Sequence, residues 1–210
     1  MSRFFALPLM LLLASAAFAQ DESKEPPQSF LLKVGDKSLT IVEGETKQLL
    51  GSFANPAVNI TPEPYRVFPY QGVRFQYPRY YAFEADLAEP AKKTWTLSGN
   101  DAKVMIFAFP FKHTPKEFAE SVIDHLDRSK SKILDANAKL RLGDHTLAGT
   151  KFRVILGSHP ITQEVYSLPA PAGTTRFFIL QDSPDDKGNY SAEAKTLLAL
   201  LQKSFQVDAK

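Results

Sequence analysis

Four histidines, one serine beside a histidine, and a small group of aspartates are the side chains here that could do chemistry. The histidines are His113, His125, His145 and His159. A helical zinc site needs two of them four residues apart, and no pair has that spacing. His125 falls at the edge of an apolar helical stripe, which suits a surface or boundary role. Ser158 and His159 are adjacent at a turn after Gly157. A nucleophile and its base must converge, which neighbouring side chains rarely do, and no Gly-x-Ser-x-Gly elbow is present. Asp182, Asp185, Asp186 and Asn189 invite a calcium test. In an EF-hand frame starting at Asp182, Pro184 takes the third ligand position and Lys187 the position that requires glycine. The frame fails. Asp182, Asp185 and Asp186 stay as weak metal candidates, with a solvated turn as the alternative.

No glycine-rich phosphate loop or dinucleotide fingerprint occurs, and a glycosidase-type carboxylate pair cannot be located from spacing alone. The chain has no cysteine, which excludes thiolate catalysis, disulfides and cysteine-ligated metals. No catalytic residue and no cofactor is predicted. The most unusual local composition is aromatic instead. Tyr65, Phe68, Tyr70, Phe75, Tyr77, Tyr80, Tyr81 and Phe83 fall within one short segment. Alternation assigns Phe75 and Tyr77 to a core. Tyrosine joins apolar area to a hydroxyl, so Tyr65, Phe68, Tyr70, Tyr80 and Tyr81 form the candidate partner or ligand surface. Linker side chains folded onto the domain are the alternative.

The composition narrows the function classes further. Of 210 residues, 25 are Lys or Arg and 23 are Asp or Glu, a net charge of +2. That balance lacks the concentrated positive surface a nucleic-acid binder needs. Residues 1–19 read as a secretory signal: Arg3, an apolar run from Phe4 to Leu13, then Ala17-Phe18-Ala19 before cleavage. There is no twin arginine, so the general secretory route is expected, with a soluble periplasmic or extracellular product and no integral membrane segment after cleavage.

The elements that must position these residues follow from the pattern. Residues 20–29 read as a flexible, solvated leader. Residues 30–50 read as a β-hairpin segment, with strands at 30–34 and 37–42 around Gly35-Asp36 and a short third at 46–50. So small a piece buries little by itself, and packing on the larger unit or on a partner is expected. Residues 51–69 form a proline-rich linker with no regular element. An α+β domain spans 70–208. Val73, Phe75 and Tyr77 line one face of its entry strand, and 103–109 is a continuously apolar strand suited to a sheet centre or to a sheet with one face under a helix. Thr114-Pro115-Lys116-Glu117 is a capping box opening a helix to about residue 130. After a connection at 131–138 come strands at 139–142, 146–147, 151–156, 161–168 and 174–181. Ser191 caps a last helix whose stripe is Ala194, Leu197, Leu198, Leu201 and Phe205. Local connections of this kind favour an antiparallel sheet with helices against it.

Four features together resemble the PsbP-like superfamily, which includes the extrinsic photosystem II protein and bacterial exported relatives. They are Gly72 to Pro78 in the form Gly-x-x-Phe-x-Tyr-Pro, the capped helix at 114–130, Leu147-Ala148-Gly149 leading to the strands at 151–156 and 163–168, and the terminal helix ending in Ser204-Phe205-Gln206-Val207. The resemblance covers about residues 70–207. It implies a three-layer α-β-α sandwich with a central, mainly antiparallel sheet. It implies a binding scaffold and no single activity. The expected function is therefore a non-enzymatic exported accessory protein recognising another envelope protein. The alternative is a small apolar ligand or lipid carrier with a pocket between sheet and helix. A hydrolase ranks third.

Overall fold

The computed structural model describes residues 21–126, 128–157 and 159–208. Residues 1–19, expected to be a secretory signal, and Ser158 lie outside them. The fold is α+β: thirteen strands and two α-helices among the described residues, with every sheet antiparallel. Three strands come first: β1 (Ser29–Val34), β2 (Lys37–Val42) and β3 (Val58–Pro62), in the order β2-β1-β3. Then follow β4 (Tyr65–Phe68), β5 (Val73–Pro78), β6 (Ala82–Asp86), β7 (Lys93–Ser98) and β8 (Ala102–Phe109). Helix α1 (Pro115–Leu126) leads through a short 3-10 turn to β9 (Lys132–Leu142), β10 (His145–Leu156), β11 (His159–Leu168) and β12 (Thr175–Asp182). Helix α2 (Ala192–Ser204) and β13 (Gln206–Val207) close the chain.

The main sheet has seven strands, ordered β6-β7-β8-β12-β11-β10-β9. Its strands expose alternate side chains to opposite faces, and each face has its own core. On one face, Trp95, Leu97, Val104, Ile106, Phe178 and Leu180 meet Leu197 and Leu201 of α2 and Phe68, Phe75 and Tyr77 from the small sheet β13-β5-β4. On the other, Phe152, Val154, Val165, Phe177 and Ile179 meet Ala119 and Ile123 of α1. Covering on both faces explains why the centre of β12, Phe177 to Leu180, is apolar without alternation and the strand almost wholly buried.

Local signals placed both helices. The Thr114 amide donates to Glu117 Oε2 at 2.8 Å and the Glu117 amide to Thr114 Oγ1 at 3.2 Å, a reciprocal capping box. The Ala194 amide donates to Ser191 Oγ at 3.0 Å.

Long-range pairing altered four other expectations. The stretch 46–50 forms no strand; the third strand of the first sheet is β3, from inside the proline-rich segment. Pro62 is tolerated there because its nitrogen faces away from β1, where no ladder bond is lost. Residues 132–138, within the stretch 131–138 expected as a connection, belong to β9, which pairs with β10 across a bulge near Gly149 and Lys151. A Cβ on Gly149 would lie 2.1 Å from the Val165 carbonyl oxygen, so glycine is needed where β11 passes. The leader, expected to be solvated, lies along the body from residue 21. Its carbonyls accept from the Trp95 indole (Glu22, 2.9 Å), the Tyr70 hydroxyl (Lys24, 2.6 Å) and Arg66 (Pro26, 2.7 Å). These buried donors need acceptors, and the leader supplies them.

Candidate functional site

The first sheet is built differently from the rest. Its pairing sets Phe30 between Ile41 and Pro62, Leu32 between Leu39 and Ile60, and Val34 between Lys37 and Val58. Because side chains alternate, these positions share one face, apolar except at Lys37. The opposite face carries Lys33 between Ser38 and Asn59, and Leu31 between Thr40 and Thr61. One face is greasy, the other wet. A sheet of this pattern normally lays its apolar face on a core. Here no residue of the three strands belongs to either core. Phe30, Leu32, Leu39 and Ile41 are only half-buried, and Val58 and Ile60 are 59% and 63% exposed. At one end, Lys37 Nζ donates to the Leu50 carbonyl at 2.5 Å and stands over the Phe53 ring. The remainder forms a half-buried apolar platform that is open at Val58 and Ile60.

The aromatic segment does not form a second surface. Phe68 and Tyr70 are buried, with Phe68 stacked on Phe75 at 4.9 Å and edge-on to Tyr70 at 5.3 Å. Tyr81 is buried too, and burial pushes its hydroxyl far above the usual tyrosine range. Tyr65 and Tyr80 keep 40% and 62% of their surface. The Tyr80 hydroxyl donates to Glu193 at 3.0 Å. Thus Phe68, Tyr70 and Tyr81 support the core, and the exposed pair is left without them. Adjacent residues Tyr80 and Tyr81 differ because the turn after β5 sends one ring inward and the other to solvent.

The aspartates act on the chain itself. Asp182 is buried and its Oδ2 accepts the Ser191 amide at 3.1 Å, just before α2. Asp185 accepts the amides of Lys187 and Asn189, which hold its carboxyl below the usual range, the Asn189 bond contributing most. Asp185 and Asp186 border an open depression of about 640 Å3 together with Arg153 and Lys187. Cations already stand where a metal would need more carboxylates. Among the described residues no group of three His, Asp or Glu side chains could hold a metal ion. The histidines are dispersed: His125 contacts the Ser121 carbonyl, His113 sits 3.6 Å from Glu117 within a phenylalanine cluster, and His145 lies against Phe205.

Two features escaped the sequence. Glu164, buried on β11, receives Lys151 Nζ at 2.6 Å, the Tyr166 hydroxyl at 2.6 Å and the Tyr190 hydroxyl at 2.5 Å. Both its oxygens are engaged, so it pins β10, β11 and the approach to α2 together. Only the cross-strand register of Lys151 with Glu164 could have signalled it. The second is a cleft of about 380 Å3 beside α1. Helix α1 lies over β9, β10 and β11, so Met105, Phe107 and Phe109 of β8 line an open floor, with Phe118 and Val122 as the helix wall and Lys92 at the rim.

No helix among the described residues is long and apolar enough to cross a membrane. No protein-family model matches this chain, and none of the curated proteins is similar to it.

Proposed function

We propose that this chain is a non-enzymatic accessory protein of the cell envelope that recognises another protein through its first three-stranded sheet. One observation carries the reading: a sheet whose apolar face, broken only at Lys37, belongs to neither core and is left exposed at Val58 and Ile60. An exposed apolar edge beside a polar face is a surface that a partner can cover. Residues 1–19 support an exported product. Helices on opposite faces of a central antiparallel sheet are in keeping with the PsbP-like α-β-α arrangement, a scaffold for binding.

The test is native mass spectrometry of the mature protein isolated from its own host, beside a variant carrying Leu39→Glu and Ile60→Glu. A defined protein adduct that the variant loses, with unchanged near-ultraviolet circular dichroism, supports recognition through the platform. A bare monomer, or an adduct retained by the variant, overturns it. The cleft beside α1 favours a second reading, a small apolar ligand. Its volume lies at the lower end of the ~300–1,000 Å3 found for ligand sites. A small mass lost on changing Val122 to Trp would mark that function.

A further inference from the structure

The two edges of the platform are not equivalent. In an antiparallel ladder, backbone groups point alternately toward one neighbour and the other. The Glu43 amide donates to the Gln28 carbonyl, which fixes residues 41, 39 and 37 of β2 as facing β1. The outward-facing positions of β2 are therefore Ser38, Thr40 and Val42. On the other side, the Glu63 amide donates to the Ser29 carbonyl and the Gly35 amide to the Ala57 carbonyl. Those bonds set residues 59 and 61 of β3 toward β1 and leave Val58, Ile60 and Pro62 facing away.

The Thr40–Val42 end of the outward edge of β2 is closed by its own chain. Glu45 accepts the Val42 amide at 3.2 Å through its carboxylate and returns its own amide to the Val42 carbonyl at 2.9 Å. Lys47 Nζ covers the Thr40 carbonyl at 2.9 Å and pairs with Glu45 at 3.0 Å. Charged side chains and returning loops are the usual means of keeping an edge from pairing with another chain. The edge of β3 has no such cover: among the described residues, no side chain bonds the amides or carbonyls of Val58 and Ile60, and their side chains are the most exposed on the apolar face. Protection of one edge beside an open, apolar one reads as selective access.

We infer that β3 is a docking strand: an extended segment of a partner protein pairs with it as a fourth strand, in the order β2-β1-β3-partner. This inference rests on the recognition reading above and specifies how that recognition works. Main-chain bonds to Val58 and Ile60 supply affinity, and alternate apolar side chains of the incoming segment extend the apolar face beside Ile60 and Val58. Pro62 offers a carbonyl but no amide, so pairing is limited to the Val58–Ile60 end. A second copy stacked on this face is the weaker occupant. Three strands of this length cover about 17 by 14 Å, so two faces bury on the order of 500 Å2 in total, below the ~1,000 Å2 expected of a specific interface.

Amide hydrogen exchange on the mature full chain tests this, with an acetylated and amidated peptide of sequence Lys-Thr-Val-Thr-Val-Thr-Val-Lys as the probe. At millimolar peptide the Val58 and Ile60 amides should slow about tenfold, as expected when peptide exceeds its dissociation constant by about ten. The Thr40 amide should not change. Ile60→Pro, which deletes only an outward amide, should abolish the effect, and Ser38→Pro on the outward edge of β2 should preserve it. Should Ile60→Pro unfold the sheet, Ile60→Lys keeps the amide and should weaken binding by removing the apolar match. Protection confined to other strands, or binding kept by Ile60→Pro, overturns strand addition. So does absence of any protection. If the native protein adduct then survives Ile60→Pro but is lost in the Leu39→Glu, Ile60→Glu variant, recognition stands without strand addition. An adduct that survives both sinks the two together. Protection of Val58 and Ile60 that appears without peptide as protein concentration rises assigns the edge to a second copy and also overturns the inference.

Discussion

The seven-stranded sheet and the three-stranded platform are made from the same material and meet different fates. Both use alternating β-branched, leucine and phenylalanine residues in antiparallel register. In the large sheet, Phe177 and Phe178 are consecutive and both buried, because one face meets α1 and the other meets α2 and the β13-β5-β4 sheet. In the platform, Leu31 and Leu32 are consecutive and both only half-buried, and neither belongs to either core. The contrast teaches that burial is conferred by the second layer and not by the strand. A strand left with one greasy face and no cover gains little from its apolar residues in the isolated chain. Their value appears when another surface arrives.

That contrast can be broken most sharply in the core. Phe178→Ala should cost about 3–5 kcal/mol in urea unfolding, since it empties a site lined by Phe75 and Phe205. A cost below 1 kcal/mol would mean that the large sheet is no better packed than the platform. Next in size is Glu164→Ala, which strands Lys151 and two tyrosyl hydroxyls in a buried site and should cost about 3 kcal/mol. The conservative Glu164→Gln should recover part of that loss, measured in the same way.

A smaller effect belongs to Glu193, in the first turn of α2. Burial by itself would raise its pKa, but amides of Ala102, Asp101 and Asn100 and the Tyr80 hydroxyl together outweigh burial and hold it below the ordinary glutamate value. A carboxyl with a depressed folded pKa contributes stability that is present above its unfolded pKa and lost as pH falls through the folded one. The melting temperature of the native chain should therefore exceed that of Glu193→Gln at neutral pH, by an effect on the order of 1–2 kcal/mol. The gap should begin to shrink near the ordinary glutamate pKa of about 4.3 and close only once pH has fallen through the depressed folded value. A gap independent of pH would refute the charged role.

The smallest change in stability is expected on the platform. Ile60→Ser should alter unfolding by no more than about 0.5 kcal/mol, as for other exposed positions. Yet it should weaken the protein adduct. Loss of stability comparable to that of Phe178→Ala would place Ile60 in a core and remove the distinction on which the recognition reading depends.

Where interactions are local, the residues announced the outcome. The Thr114–Glu117 box, the Ser191 cap and the stripe of Ala194, Leu197 and Leu201 involve neighbours within one or two turns, so composition and spacing define them. Val73, Phe75 and Tyr77 alternate into the core for the same reason. The candidate site was legible only in part. A small strand pair before the main domain could be read from 30–42, but its third strand lies beyond a loop and inside a run of prolines. Proline forbids an inward amide but tolerates an outward one, and only the pairing of β3 with β1 determines which way Pro62 points. Likewise Tyr80 and Tyr81 have the same chemistry and opposite burial. The Trp95 indole and the Tyr70 hydroxyl needed acceptors that no spacing rule would seek in residues 22 and 24.

The sequence by itself determined the periodicity, the caps and turns, the absence of thiol chemistry and the sidedness of each strand. These are properties of side chains and of dihedral preferences over a few residues. Tertiary structure alone decided which strands became edges, which edge Glu45 and Lys47 closed, and which apolar face received no second layer. Those outcomes depend on pairings between distant segments, where each additional contact must outweigh the entropy of closing a loop. The openness of β3 is such an outcome: its residues could equally have lined a core, and position in the assembled sheet placed them at the edge.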